Sequence, residues 1–129
     1  MAASVFTVME GRNKFIYNVR GVYSVSDETD TVIIDISSKA GPNGGAAPTK
    51  LKIDEIWWTI NGYNYILIEF DQSTDVVTDY FAGQGYMDYR QYGGKIDNGS
   101  GGTGDLLLTS SGGAAGGNYS FLIVGRFKQ

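Results

Sequence analysis

The sequence predicts an all-β protein: a two-sheet antiparallel sandwich of jelly-roll type with eight or nine strands and no substantial helix. Short runs in which apolar and polar residues alternate recur along all 129 residues, separated by Gly, Asn, Asp and Pro. The chain contains nine Tyr and nineteen Gly but only two Pro, a composition typical of sandwiches and barrels. No segment has the spacing of an amphipathic helix or a coiled coil. The length suits a single domain, residues 1–129.

The first third of the chain predicts three strands followed by a loop. Ser4–Glu10 and Lys14–Tyr23 are separated by a short Gly-containing turn and are expected to pair. Asp30–Ser37 alternates, so Val32, Ile34 and Ile36 are expected on one face. Lys39–Thr49 contains both prolines and a Gly-Gly run, which predicts a loop.

Leu51–Ile60 has the strongest strand pattern. Its apolar residues change parity near Asp54-Glu55, and one extra residue in a strand produces such a change, so we expect a β-bulge there. Asn61-Gly62 separates it from the next alternating run, Tyr63–Asp71, in which Ile66, Ile68 and Phe70 point inward. Asn-Gly between two alternating runs predicts a hairpin.

The remaining strands are predicted at Asp75–Ala82, Gly85–Arg90, Leu106–Thr109 and Tyr119–Lys128, with a long Gly-rich loop over Tyr92–Gly104. The last two strands flank a Gly/Ala loop and are expected to form a closing hairpin.

Two strands carry large apolar residues on both faces. Trp57 and Trp58 lie on opposite faces, so one is expected in the core and the other against a second layer, a loop or a partner. The last strand places Phe121 on one face and Leu122 on the other, which predicts cover on both sides by the core and by a loop or a neighbouring subunit.

Missing residue types exclude most catalytic chemistry. The chain has no Cys and no His, which removes thiol nucleophiles, the usual general base and the commonest metal ligands. We expect no catalytic residue, no metal and no cofactor. The start, Met1-Ala2-Ala3-Ser4, lacks the pattern of a secretion signal, and no apolar run is long enough for a membrane span. The protein is therefore expected to be soluble and made in a cytoplasm.

The net charge of −4 is unevenly distributed. Arg12, Lys14 and Arg20 make the beginning basic, and Arg126 and Lys128 do the same for the end. These charges are either solvated faces or two basic ends that lie side by side and meet an acidic partner. An acidic chain without a Lys/Arg cluster argues against nucleic acid as that partner.

Three motifs carry weak signals. Gly99–Gly104 matches G-x-G-x-x-G, but a strand-like run follows where a dinucleotide site needs a helix. The loop Asp97–Asp105 offers two carboxylates and could bind calcium, although it lacks the pattern of an EF-hand. Asp71, Asp75 and Asp79 could supply paired carboxylates for glycoside hydrolysis, but Asp is also common at turns.

Five aromatic residues fall within thirteen positions: Tyr80, Phe81, Tyr86, Tyr89 and Tyr92. Such a stretch suits core or edge packing, a protein interface or sugar stacking, and the sequence leaves the three open. The candidate partner-binding residues are Tyr86, Tyr89, Arg90, Tyr92, Arg126 and Lys128.

The second half of the chain resembles small structural proteins of tailed bacteriophages, particularly marine ones. The resemblance rests on Ile56-Trp57-Trp58, Gly93-Gly94 after a Tyr-rich strand, and the ending Asn118-Tyr-Ser-Phe-Leu-Ile-Val with Arg126-Phe-Lys. It covers residues 51–129 and, more loosely, Thr31–Ser37. These are β-sheet patterns and include no catalytic signature.

The resemblance implies a virion component, and some such proteins decorate the capsid exterior. We therefore expect a non-enzymatic capsid decoration (cement) protein that binds the major capsid protein as a homo-oligomer, a dimer or trimer, on the surface of the virion. A tail, neck or fibre-attachment component is the alternative within this class. A carbohydrate-binding jelly-roll module is the alternative from another class.

Overall fold

The computed structural model describes residues 3–11, 13–39 and 46–128. These residues form strands and two short 3₁₀ turns, Ile36–Ser38 and Arg90–Tyr92, and no α-helix occurs among them. The strands are β1 (Ser4–Glu10), β2 (Lys14–Val22), β3 (Thr31–Ile34), β4 (Lys50–Asn61), β5 (Tyr65–Phe70), β6 (Val76–Phe81), β7 (Gln84–Asp88), β8 (Lys95–Ile96), β9 (Leu106–Ser111) and β10 (Asn118–Lys128). In this part of the chain, no helix has the length and hydropathy needed to cross a membrane.

The strands build two antiparallel sheets, which confirms the predicted fold class at that level. The larger sheet has the order β1-β2-β10-β4-β7, with β8 paired to β4, and the smaller sheet has the order β3-β9-β5-β6. One core between the sheets is formed by inward-pointing residues of β2, β3, β4, β5, β6, β9 and β10. Its largest fully buried side chains include Phe15, Tyr17, Phe70 and Phe121.

Several local predictions are confirmed. β1 and β2 pair as expected. Opposite β10, Val124 faces Glu55 and Gly125 faces Ile53, so Asp54 is the extra residue of the predicted bulge. In β5, Ile66, Ile68 and Phe70 are fully buried. Trp58 packs on the core and Trp57 is exposed on the other side of β4.

Both predicted hairpins are wrong. β4 and β5, joined through Asn61-Gly62, lie in different sheets, and so do β9 and β10, joined by the Gly/Ala loop. The two connections are arches that cross from one layer to the other.

The two arches pack against each other. The backbone N–H of Ala114 donates to the Gly62 carbonyl at 3.0 Å, and the N–H of Asn64 donates to the Ser111 carbonyl at 2.9 Å. Gly62 has a φ of +76°, and a Cβ there would lie 2.7 Å from the Cα of Gly117. The Asn-Gly pair therefore supplies the positive φ of an arch instead of a hairpin turn.

β3 and the loop regions differ from the sequence-based expectation. A register shift between Val32 and Ile34 turns Val32 outward, where it is 50% exposed, while Ile33 is buried with Ile34 and Ile36. β8 lies inside the expected loop Tyr92–Gly104, so the described residues form ten strands where eight or nine were predicted. Most of the expected loop Lys39–Thr49, residues 40–45, lies outside the described residues.

The last strand, β10, carries apolar side chains on both of its faces, as its sequence indicates. Tyr119, Phe121 and Ile123 point into the core and are at most 2% exposed. On the outer side Leu122 is half-buried, in the middle of the larger sheet between β2 and β4.

Candidate binding surface

The outer face of the larger sheet, which points away from the core, carries aromatic rings near its centre. Register places Tyr86 of β7 beside Trp57 of β4, and Trp57 beside Leu122 of β10. The two rings have centroids 4.6 Å apart and planes 31° apart. Trp57 is 39% exposed and Tyr86 is 45% exposed. We call Tyr86, Trp57 and Leu122 the aromatic row. Adjacent exposed apolar side chains of this size are typical of an interaction surface.

The aromatic row lines an open groove of about 460 Å³. The polar side chains of the groove, Thr59, Gln84 and Ser120, are uncharged. They are neighbours across the sheet, because Thr59 pairs with both Gln84 and Ser120. The groove can therefore offer ring surface and hydrogen bonds together.

A charged network borders the aromatic row at β7. Arg90 donates hydrogen bonds from Nε and Nη2 to the Asp88 carboxylate, both at 2.9 Å, and its Nη1 lies 3.5 Å from Glu55. Glu55 accepts a hydrogen bond from the Tyr86 hydroxyl at 2.8 Å. Hydrogen bonding by Arg90 lowers the pKa of Asp88 to about 2. The network holds an Arg and a Tyr together at the rim, and both residue types are enriched among interface hot spots.

Five cationic side chains gather at one end of the same face. Register places Lys14 of β2 beside Arg126 of β10, Arg126 beside Lys52 of β4, and Lys128 beside Lys50. We call these five residues the basic end. Of the two interpretations that the sequence left open, the one that places the basic segments side by side agrees with the pairing of Lys14 and Arg126. Arg12 lies outside the described residues.

The charges of the basic end are only partly neutralised. Arg126 donates to both carboxylate oxygens of Asp54, at 3.0 and 3.1 Å. The Lys50 ammonium donates to backbone carbonyls in the 97–99 loop. Burial lowers the pKa of Lys52, and the charges of Arg126 and Lys128 act in the same direction. This end of the sheet therefore carries a surplus of positive charge on an acidic protein.

The structure separates the six predicted partner-binding residues. Tyr86 and Arg90 lie at the aromatic row and its network, and Tyr92 is 75% exposed in the following 3₁₀ turn. Arg126 and Lys128 belong to the basic end. Tyr89 is only 7% exposed and lies in the core cluster, because β7 ends there and the chain turns inward.

The aromatic stretch at 80–92 does not form one surface, because β6 and β7 lie in different sheets. Phe81 is core, and Tyr80 packs against Tyr65 on the smaller sheet with ring centroids 5.2 Å apart. Sequence reasoning did not assign Trp57 or Lys52 to the surface. The two adjacent Trp residues were the available signal for Trp57, whereas Lys52 joins the basic end only through pairing with β10.

The weak motifs have structural roles. In the loop 97–105, Asp97 accepts a hydrogen bond from the Gln72 side chain at 2.5 Å, and Asp105 accepts one from the Ile36 N–H at 3.0 Å. The G-x-G-x-x-G segment leads into β9, as expected, and not into a helix.

Asp71, Asp75 and Asp79, which could have supplied a catalytic pair of carboxylates, make different contacts. Asp71 accepts from the Thr103 hydroxyl at 2.6 Å, and Asp79 accepts from the Tyr89 hydroxyl at 3.5 Å. Asp75 lies with Asp30 and Glu69, and oxygens of these three carboxylates are within 4.8 Å of one another. We call Asp30, Glu69 and Asp75 the acidic trio.

Comparisons with protein-family models, curated proteins and solved structures gave no match.

Proposed function

We propose that this protein is a non-enzymatic structural component of a bacteriophage virion, a capsid decoration protein that binds the major capsid protein on the capsid exterior and stabilises the head. The observation that carries the proposal is the exposed aromatic row beside Arg90 on the outer face of the larger sheet. The resemblance of residues 51–129 to phage structural proteins supports the class of protein. The absence of His and Cys from the sequence supports a non-catalytic role.

The chemistry of the surface favours a protein partner. Trp57 and Tyr86 offer a large contact area, and Arg90 is held at the rim by Asp88 and Glu55. A ring pair already in contact and an ion-paired Arg lose little conformational freedom on binding. A subunit that binds only the assembled shell stabilises that shell by linkage.

We infer that the sandwich has the jelly-roll topology. Of the strands from β2 onward, β2, β4, β7 and β10 belong to the larger sheet and β3, β5, β6 and β9 to the smaller one, so the chain changes sheet at most of its connections, and β5 and β6 form a hairpin within the smaller sheet. The orders β2-β10-β4-β7 and β3-β9-β5-β6 are those of two interleaved Greek keys. In this description β1 and β8 are additions to an eight-stranded core.

Co-sedimentation with empty capsids of the encoding phage tests the function. We expect stoichiometric binding of the wild-type protein and a loss of roughly tenfold or more in affinity for the double variant Trp57→Ala/Tyr86→Ala, because interface aromatics carry much of the binding energy. The matched control is Tyr65→Ala/Tyr80→Ala, which removes the exposed ring pair of the smaller sheet. Thermal unfolding of both variants checks that they fold.

Imaging of purified virions gives the location. Hundreds of copies on the head surface would agree with a cement protein, whereas a few copies at the tail, neck or fibres would replace it with the alternative virion role. Absence from the particle, together with no binding to empty capsids, would refute the proposal.

A carbohydrate-binding role is the second candidate, and the groove favours it. Thr59, Gln84 and Ser120 place uncharged hydrogen-bonding groups beside Trp57 and Tyr86. Against it, the two rings stack partly on each other, so they do not form the coplanar platform on which sugar rings stack. Glycan-array binding that Trp57→Ala abolishes would favour this candidate, and an array without hits would exclude it.

A further inference from the structure

The acidic trio is a fixed concentration of negative charge on the outer face of the smaller sheet. Glu69 projects from β5, next to the inward-pointing Ile68 and Phe70. Asp30 is held by Thr109: the Asp30 N–H donates to the Thr109 hydroxyl at 2.9 Å, and that hydroxyl lies 3.3 Å from the Asp30 carboxylate. Asp75 accepts a hydrogen bond from the backbone N–H of Gln72 at 3.2 Å.

No cation of the described residues forms an ion pair with the trio. Ion pairs in the described ranges are made by Lys39, Arg90 and Arg126, and none of them reaches the trio. Burial raises the pKa of Glu69, and the charges of Asp75 and Asp30 raise it further. Bringing cations close to the three carboxylates would relieve this repulsion.

The basic end carries an excess of positive charge on the opposite side of the sandwich, the outer face of the larger sheet. Lys14 and Lys128 are exposed and form no ion pair among the described residues, and Asp54 pairs with Arg126 alone. Apolar side chains flank both clusters: Ile96 beside the basic end is 57% exposed, and Val32 and Val77 on the acidic face are 50% and 40% exposed. The two patches therefore match in charge and share an apolar fringe.

We propose that the basic end of one copy of this chain docks on the acidic trio of a second copy. Because the two patches lie on opposite faces, a docked pair still has one open patch of each sign: the trio of the first copy and the basic end of the second. Such a head-to-tail contact continues into a ring if its rotation closes and into a short filament if it does not. The aromatic row lies outside this contact, so the inference does not rest on the virion function.

Sedimentation of the purified protein tests the proposal. Wild-type protein is expected to self-associate at low ionic strength and to dissociate progressively as salt screens the exposed charges. The basic-face variant, Lys14→Glu/Lys128→Glu, and the acidic-face variant, Glu69→Lys/Asp75→Asn, should each weaken self-association by roughly tenfold or more. The control Val25→Glu/Gln91→Glu adds negative charge at exposed positions outside both patches and should self-associate like the wild type.

Mixing the two variants separates a head-to-tail contact from a symmetric one. The basic-face variant retains an intact trio, and the acidic-face variant retains an intact basic end. A mixture should therefore form 1:1 heterodimers that grow no further, since the remaining patches are both disabled. Circular dichroism and unfolding midpoints establish that each variant folds.

Three results would overturn the proposal. They are a wild-type protein that remains monomeric at low salt, folded variants that self-associate as the wild type does, and a mixture without heterodimers. Self-association that survives high salt and both variants would assign the contact to another surface, such as the exposed edge strand β1. All these measurements use the isolated protein, so failure of capsid binding leaves their outcome unchanged.

Discussion

Phe121 and Leu122 are neighbours in β10 that meet different environments. Phe121 is fully buried and contacts the rings of Phe81 and Tyr119, whereas Leu122 is half-buried on the outer face. We expect Phe121→Ala to lower the free energy of unfolding by about 3–5 kcal/mol, because it leaves a cavity in the core. Leu122→Ala should cost about 1 kcal/mol. Urea denaturation of both variants measures the difference, and equal losses would contradict the face assignment.

Buried tyrosines make stability sensitive to alkaline pH. Burial raises the pKa of Tyr17, Tyr89 and Tyr119, and hydrogen bonds to carboxylates raise it further, for Tyr89 to about 12. An unfolded Tyr loses its proton near pH 10. The contribution of Tyr89 is therefore complete below about pH 10 and is lost as the pH rises towards 12.

This dependence has a direct measurement. The free energy of unfolding should fall between pH 10 and 12. Tyr89→Phe should make this fall less steep, because the variant has no hydroxyl at position 89 that could ionise in the unfolded chain. Tyr92→Phe is the control for removal of one exposed hydroxyl. Absorbance of phenolate followed in parallel should show late titration coupled to unfolding. All tyrosines ionising near pH 10 in a stable protein would contradict the prediction.

Among the connections, the arch at Gly62 depends on a residue without a Cβ. Gly62 and Gly116 both have positive φ, but only at Gly62 would a Cβ meet other atoms closely, with Gly117 at 2.7 Å. We expect Gly116→Ala to lower the free energy of unfolding by about 1 kcal/mol, because an alanine is strained at a positive φ. Gly62→Ala should cost at least about 2 kcal/mol, because the arches must also separate. Chemical denaturation compares the two, and equal costs would show that the arches do not constrain each other.

Local sequence predicts some features of these strands correctly and others wrongly. Parity within β4 and β5 was sufficient to predict the bulge at Asp54 and the inward side of β5, because alternation is a property of the strand itself. Parity failed in β3, where Ile33 is an extra residue and Val32 turns outward. The hairpins failed because Asn-Gly and Gly/Ala loops permit both a hairpin and an arch, and the choice depends on distant strands.

Across the whole molecule, β10 has the central position. It pairs with β2 on one side and β4 on the other, whereas β1 is an edge strand with every residue exposed. Deleting residues 118–129 should abolish cooperative folding, because the larger sheet would lose its middle and the core Phe121 and Ile123. Deleting residues 1–10 should leave a domain that unfolds cooperatively. Calorimetry and near-ultraviolet circular dichroism test both, and a folded protein without β10 would contradict the topology.

The candidate surface was predictable only in part. The composition of the 80–92 stretch indicated Tyr86 and Arg90, which belong to β7 and the turn after it. Trp57 joins them because β4 pairs with β7, and Lys52 joins Arg126 because β4 pairs with β10. The assignment of Tyr89 to the binding surface was wrong, because its burial depends on where the chain turns back over the core.

The amino-acid sequence is sufficient to predict the all-β class and the position of most strands, and it contains neither His nor Cys. These follow from side-chain chemistry and from alternation along each strand, which need no knowledge of distant residues. The pairing of the strands is known only from the folded molecule. That pairing places Trp57 beside Tyr86, five cations at one end of the larger sheet and three acids on the opposite face. Sheet pairing is non-local, because each strand satisfies its backbone hydrogen bonds with partner strands that its own sequence does not specify.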